Sequence, residues 1–211
     1  KRDARSQRGA GALASMPYRR GSDEIDLDKT IEMLAERPVP DDEDIIVRER
    51  VRTRRALVLV VDASGSMKGE RILTAAAVVG ALAGELAHDD LAVIAFWSDA
   101  AVLQTFGQQQ SPDRLLDLLT SIPARGLTNV GFPLELAAAE LRTRPAQDAR
   151  VLLLSDCVHN AGPDPRPIAS RLPRLDVLLD LSGEHDEELA RDLSRAGRGT
   201  LQTVQTHRDV A

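Results

Sequence analysis

Val58-Leu59-Val60-Val61-Asp62-Ala63-Ser64-Gly65-Ser66-Met67 decides how the rest of the chain is read. The apolar run that begins at Ala56 suits a central strand buried on both faces. It ends on one carboxylate and two hydroxyls, set at alternate positions around a glycine turn. Asp62, Ser64 and Ser66 are all oxygen donors, which suits Mg²⁺ or Mn²⁺ and suits thiolate-seeking metals badly. Two further oxygen donors follow downstream. Thr128 lies in Arg125-Gly126-Leu127-Thr128-Asn129, and Asp156 ends the apolar run Val151-Leu152-Leu153-Leu154-Ser155. Three separate element ends can therefore converge on one ion.

Outward from this stretch, strand and helix patterns alternate in the way that predicts an α/β fold. The expectation is a doubly wound, Rossmann-like, mostly parallel sheet of six strands with helices on both faces. Its strands are expected at Ala56 to Asp62, Leu91 to Ser98, Ala101 to Thr105, Arg150 to Ser155, Asp176 to Leu181 and Thr200 to Thr206. Helices are expected at Glu70 to Ala87, Pro112 to Ser121, Gly131 to Arg144, Pro167 to Arg171 and Asp186 to Ala196. Ser98-Asp99-Ala100 is short enough for a hairpin turn. Ligands of such sheets gather outside the carboxyl ends of the strands, where both Asp62 and Asp156 fall.

The five oxygen donors, Asp-x-Ser-x-Ser followed by a distant Thr and a distant Asp, resemble the metal-ion-dependent adhesion site of von Willebrand factor A domains. The resemblance covers residues 55 to 211, about three quarters of the chain. It implies an antiparallel second strand of the hairpin at the sheet edge. It also implies a metal set of Asp62, Ser64, Ser66, Thr128 and Asp156, with the two aspartates acting mostly through coordinated water and a sixth position open to a partner's Glu or Asp. Within the family the likeness is to the bacterial intracellular type found in D-type subunits of magnesium and cobalt chelatases and in proteins that work with MoxR-type ATPases. Asp26-Leu27-Asp28-Lys29-Thr30 and the basic Arg48-Glu49-Arg50-Val51-Arg52 look like the lead-in of chelatase D subunits. Leu127 and Cys157 depart from the family, which usually carries a small residue before the Thr and Gly after the last Asp. Glycine permits φ values that Leu and Cys resist, so a differently built rim around the ion is expected.

Residues 1–54 read as a charged extension or linker, partly flexible, ahead of the domain at 55–211. The first twenty or so residues are rich in Arg, Gly and Ala without an apolar period, and no fold is expected for them. A short helical pattern follows at Leu27, Ile31, Leu34 and Ala35, whose apolar stripe could dock on the main domain. It ends before Pro38 and Pro40. Because the chain starts at Lys1 rather than Met, a fragment of a longer protein is expected.

Composition excludes several function classes. A net charge of −6 and a pI near 5.3 argue against a general nucleic-acid binder. Aromatic residues at 2% leave no stacking platform for single strands. A single Cys permits no internal disulfide and fits a reducing compartment, so a cytoplasmic location is expected. The most apolar stretch, Ile72 to Ala87, is too short to span a bilayer. Phosphoryl-transferring hydrolases that attack with a strand-end Asp need a second Asp two residues on, where this chain has Ser64. No Gly-rich Lys-Ser/Thr nucleotide loop and no ordered Ser-His-Asp set is present.

Each donor also has a plainer reading. Ser66 suits a helix N-cap, Thr128 a cap ahead of Gly131, and Asp156 a strand-end Asx turn. Their joint placement favours the metal. Cys157 and His159 beside Asp156 lack the partners of a zinc site and read as a buried thiol and a loop imidazole. His185 and His207 read as surface residues, and Trp97 as core or rim. The resulting expectation is a non-catalytic, metal-dependent protein-binding domain holding Mg²⁺ or Mn²⁺. Its implied partner is a MoxR-like or chelatase I-type AAA+ ATPase, with neither nucleic acid nor membrane. The alternative is a D-type subunit of a chelatase that inserts Mg²⁺ or Co²⁺ into a tetrapyrrole.

Overall fold

The structure, a computed structural model, describes residues 12–18, 24–36, 41, 44–51, 55–64, 78, 90–108, 110–122 and 126–205. The chain divides into two compact units, Lys1–Thr53 and Arg54–Ala211. The expected helix Glu70 to Ala87 lies outside the described residues apart from Val78, which is helical and buried. Gly65 and Ser66 are outside them as well.

In the first unit, strand β1 (Ala12–Pro17) pairs antiparallel with β2 (Ile46–Val51), and helix α1 (Leu27–Glu36) lies between them in sequence. No fold is expected for the first twenty or so residues, yet residues 12–17 form β1, and β2 runs through the basic stretch as far as Val51; residues 1–11, 19–20 and 52 lie outside the described residues. The reason is tertiary: β1 has no period of its own and is fixed by a partner strand more than thirty residues on, in the register Ala12↔Val51 to Pro17↔Ile46. Buried Asp26 links the parts. Its carboxylate accepts from Ser15 Oγ at 2.7 Å, caps α1 through Lys29 N at 3.4 Å and pairs with Arg48 Nε at 3.2 Å. Thr30 adds a reciprocal pair, accepting from Ile46 N at 2.9 Å and donating to Ile46 O at 3.1 Å.

The second unit holds six strands: β3 (Ala56–Asp62), β4 (Asp90–Phe96), β5 (Ala100–Gln104), β6 (Ala149–Ser155), β7 (Leu175–Asp180) and β8 (Arg198–Val204). They lie in the order β5-β4-β3-β6-β7-β8, all neighbours parallel except the antiparallel edge pair β4/β5. The hairpin turn is held by Trp97 N on Asp99 O at 2.7 Å. Among the described residues the second unit's helices include α2 (Pro112–Ser121), α3 (Gly131–Leu141), α4 (Arg166–Ala169) and α5 (Glu187–Ala196). Local signals set two of these. Ser111 Oγ accepts from Arg114 N ahead of Pro112 in α2, and Asp186 accepts from Leu189 N at 2.8 Å to cap α5, which stops at Gly197.

Every residue of β3 is buried, and its side chains alternate between two cores. Val58 and Val60 join Ile94, Phe96, Val151, Leu153, Leu134 and Ala137 on the face covered by α3. Leu57, Leu59 and Val61 join Val93, Leu115 and Leu119 on the face covered by α2. Consecutive helices α2 and α3 thus lie on opposite faces, so the segment between them must cross over an end of the sheet. Gly199 serves the last strand pair, because a Cβ there would sit 1.9 Å from the Leu175 carbonyl oxygen.

Three outcomes follow for stability. Leu59→Ala and Leu153→Ala, on opposite faces of the sheet, each lower the unfolding free energy in urea by about 2–5 kcal/mol. Gly199→Ala forces β7 and β8 apart and lowers the midpoint further than a surface change does. In the first unit, Ser15 and Arg48 hold the Asp26 carboxyl down at about 2. Its folded value lies below the unfolded one, so the stabilisation is full above pH 4 and is lost as pH falls toward 2. Amide resonances of Thr30 and Ile46 should collapse toward disordered positions over that interval, and in Asp26→Ala they should do so at neutral pH.

Candidate functional site

The sheet order puts a topological switch point between β3 and β6, because the chain leaves β3 toward β4 and β5 and later returns to the other side as β6. Neighbouring strands at such a point lead their following loops in opposite directions and open a crevice at their carboxyl ends. Asp62 is the last residue of β3, and Asp156 follows the last residue of β6. Register pairs Val61 with Leu154, which sets Asp62 beside Ser155.

Asp62 is buried and held at both oxygens. Oδ1 accepts from Ser64 N at 2.8 Å, closing the turn after the strand, and Oδ2 accepts from Ser155 Oγ at 2.6 Å. The same Ser155 oxygen accepts from Cys157 N at 2.9 Å, so one hydroxyl ties both loops together. Ala63 N donates to Phe96 O at 2.6 Å and extends the β3/β4 pairing into the turn. Asp156 is buried too; its Oδ1 accepts from Val158 N at 3.1 Å, and its carbonyl accepts from Asp186 N at 2.9 Å.

Thr128 arrives on the segment that crosses from α2 to α3. Its amide donates to Asn160 Oδ1 at 2.6 Å, and its carbonyl accepts from Asn160 N at 3.1 Å and Ala161 N at 3.2 Å. Asn129 N donates to Trp97 O at 2.9 Å, which fastens the same segment to the end of β4. The helix-cap reading of Thr128 is not what forms: Asn129 Oδ1 accepts from Phe132 N at 3.2 Å, while Thr128 is buried at the sheet end. Gly162, at φ +82°, makes room for Asn129, whose side-chain oxygen would lie 2.6 Å from a Cβ there.

The structure therefore gathers Asp62, Ser64, Thr128 and Asp156 at one end of the sheet, all with 5% exposure or less. Ser66 falls outside the described residues. Cys157 takes φ +59°, the left-handed conformation that glycine adopts without strain. The expected change of rim at this position is thus replaced by a strained residue in a conformation that suits glycine, held by the Ser155 bond. Leu127 stands 54% exposed.

Sequence reasoning did not single out Ser155, Asn160 or Asn129. Ser155 was visible only as the polar end of an apolar run, and Asn160 acts on a residue 32 positions upstream, a separation that carries no local signal. His159 has a structural task, accepting from Val130 N at 3.2 Å through Nδ1. In the neutral ring this puts its proton on Nε2.

Electrostatics follow from burial. Desolvation raises the Asp62 carboxyl to about 6, opposed by the hydrogen bonds from Ser155 and Ser64 and reinforced by the charge of Asp156. Burial, with the charges of Asp62 and Asp156 nearby, pushes the Cys157 thiol far up, which favours its protonated form. Among the described residues no three His, Cys, Asp or Glu side chains come together, so any ion here relies on hydroxyls beside two carboxylates. That donor chemistry fits a hard divalent cation and not zinc. For Asp62 the folded value lies above the unfolded one. The folded protein then keeps a proton that the unfolded chain has lost, and stability falls as pH rises from about 4 to 6, by up to about 1.4 kcal/mol per pH unit. Asp62→Asn removes this slope: in chelator the variant should match or exceed the wild-type melting temperature at pH 7 and lose that advantage at pH 4.

Residues 57–159 match the family model of the von Willebrand factor type A domain. Sequence comparison with curated proteins finds no match. Among solved structures, the von Willebrand factor type A protein from Catenulispora acidiphila is 18% identical, with a TM-score of 0.63 over 79% of this chain and 42% of that one. An aerotolerance-related membrane protein from Bacteroides fragilis is 16% identical, with a TM-score of 0.58 over 74% of this chain and 94% of that one. The manganese-loaded TRAP protein of Plasmodium vivax is 21% identical, with a TM-score of 0.60 over 74% of this chain and 70% of that one. Sheet order and family match agree on the fold of von Willebrand factor type A domains.

Proposed function

We propose that this domain is a metal-dependent protein-binding module, in which Asp62, Ser64, Ser66, Thr128 and Asp156 hold Mg²⁺ or Mn²⁺ and a carboxylate of a partner protein completes the site. The observation that carries this reading is the burial, at one switch point, of two carboxylates beside neutral hydroxyl donors. A divalent cation there supplies an electrophilic point that an incoming Asp or Glu can neutralise. The manganese in the Plasmodium vivax relative supports a divalent ion on this fold.

The chain's own residues do the positioning. Ser155 orients Asp62, Asn160 fixes the Thr128 backbone, and the two aspartates provide charge without filling every position with anionic ligands. Burial favours the protonated form of the neighbouring Cys157 thiol. Metal and partner then couple positively, each raising the other's affinity by the same factor.

A MoxR-like AAA+ ATPase, in a cytoplasmic setting, is the partner we propose; it rests on the sequence resemblance and on the acidic and basic lead-in that Asp26 and Arg48 join into one ion pair. The single Cys, buried and without a disulfide, agrees with a reducing compartment. Among the described residues no helix is long and apolar enough to cross a membrane.

Titration with Mn²⁺, followed by loss of the free-ion EPR signal, tests the site. Wild type should bind one ion, Asp62→Asn and Thr128→Ala should lose it while remaining folded, and Ser155→Ala should weaken it about 10–100-fold as an orienting partner. A pull-down from cytosol in Mg²⁺ and in chelator tests the partner. Retention of an AAA+ ATPase only in Mg²⁺ supports the reading, recovery of a tetrapyrrole-binding subunit moves it to the chelatase alternative, and indifference to both chelator and Asp62→Asn overturns it.

A further inference from the structure

We infer that the outward face of α1, the row Leu27, Ile31 and Leu34, is a docking seam for one amphipathic helix of a partner protein whose flanking positions carry Lys or Arg. This surface belongs to the first unit and involves none of the candidate metal donors.

An amphipathic helix ordinarily turns its apolar stripe toward the structure it packs on. In α1 the arrangement is reversed. The polar Thr30 faces the β1/β2 pair and is buried there, its hydroxyl bonded to both the amide and the carbonyl of Ile46, while Asp26 caps the helix and pairs with Arg48. Leu27 and Ile31, by contrast, are 65% and 63% exposed, and Leu34 is 37% exposed. Their spacings of four and three residues put them in one row, with neighbouring Cβ atoms about 5–6 Å apart. A scattered exposed leucine calls for no explanation, but a contiguous row on a helix anchored through its opposite side does. Because that anchor holds α1 in place, the row is presented on a fixed frame, and its burial goes largely into affinity.

The spacing and the edges of the row specify the occupant. Leu27, Ile31 and Leu34 fill consecutive d, a and d positions of a heptad, the narrow seam that one partner helix covers, and Ile at a with Leu at d favours a two-stranded pairing. One flank of the seam, at Thr30, is taken by the β1/β2 pair. The other is open and acidic, with Asp28 beside the seam and Glu32 one turn on, both exposed. A second copy of this chain fits poorly. In an antiparallel two-fold pair the two Asp28 carboxylates would face each other, and in a parallel pair the flank that each Asp28 needs is the one already covered at Thr30. The net charge of −6 adds a general repulsion between copies. Lys or Arg at the flanking positions of a partner helix instead meets Asp28 and Glu32 with opposite charge.

The test uses the full chain and helical peptides of three heptads with Leu at a and d, with affinities read by NMR titration. One peptide carries Lys at e and g, where like charges also keep it from pairing with itself; a second carries Glu there; a third has the composition of the first with its leucines spread round the helix. The Lys peptide should bind roughly tenfold more tightly than either of the others, shift the amides of α1, and do so equally in Mg²⁺ and in chelator. Ile31→Gln should weaken it roughly tenfold while the Ile46 amide keeps its folded position, and Leu27→Gln repeats the measurement at the most exposed position of the row. Asp28→Lys combined with Glu32→Lys should transfer the preference to the Glu peptide, and this reversal decides the matter if either Gln variant disturbs Ile46. Absence of binding, equal binding of the Lys peptide and its spread-leucine control, a requirement for Mg²⁺, or binding indifferent to these variants overturns the inference. A wild-type dimer in sedimentation that Ile31→Gln dissolves assigns the seam to a second copy and overturns it too. So does a shift of second-unit amides in Ile31→Gln without peptide, which assigns the seam to the chain itself.

Discussion

The bond from Ser155 Oγ to Asp62 Oδ2, 2.6 Å long and fully buried, is the contact on which the site depends. It crosses from β6 to β3 at the point where the sheet reverses its strand order, and the same oxygen receives the Cys157 amide. Without it, a carboxylate at the end of an apolar strand would face desolvation with only the Ser64 turn to offset it. With it, Asp62 remains strained electrostatically, and its raised pKa records the remainder. A divalent cation at the proposed site would relieve that imbalance, because it would favour the ionised form that burial disfavours.

A second constraint comes from the helices. Leu115 and Leu119 of α2 pack on one face of the sheet and Leu134 and Ala137 of α3 on the other. The chain between them has to pass an end of the sheet, and the hydrogen bonds of Thr128 and Asn129 show which end: the one where β4 and β6 finish. Placement of the third donor is thus a by-product of covering both faces of a parallel sheet. The exposed Leu127 and Phe132 travel with it.

Energetically the site is a local deficit in a well-packed frame. Alternating burial along β3 feeds two cores at once, and that redundancy lets the end of the strand tolerate two buried carboxylates and a residue with positive φ at Cys157. Such concentration of unfavourable backbone and charge at a strand end is common where a ligand later supplies the compensating interaction.

Much of this was legible in the residues. The apolar runs at Val58, Leu91, Val151 and Val177 are long, flanked by polar turns and separated by helix-length segments, so strand identity and parallel pairing followed from pattern alone. The antiparallel edge strand came from the short turn at Ser98 to Ala100 together with the family likeness. Donor types were legible as well, since Asp, Ser and Thr announce oxygen chemistry wherever they lie. What pattern could not supply was everything set by distant contacts. β1 carries no signal of its own in the sequence, because its six residues become a strand only against β2. Asn160 and Ser155 carry no motif of their own, and their roles arise from partners 32 and 93 residues away in the chain. Local sequence determines the period of burial and the chemistry each side chain can offer; the tertiary fold alone decides which side chains meet, because that depends on register and on the crossing of the sheet end, neither of which is encoded within one turn or one strand.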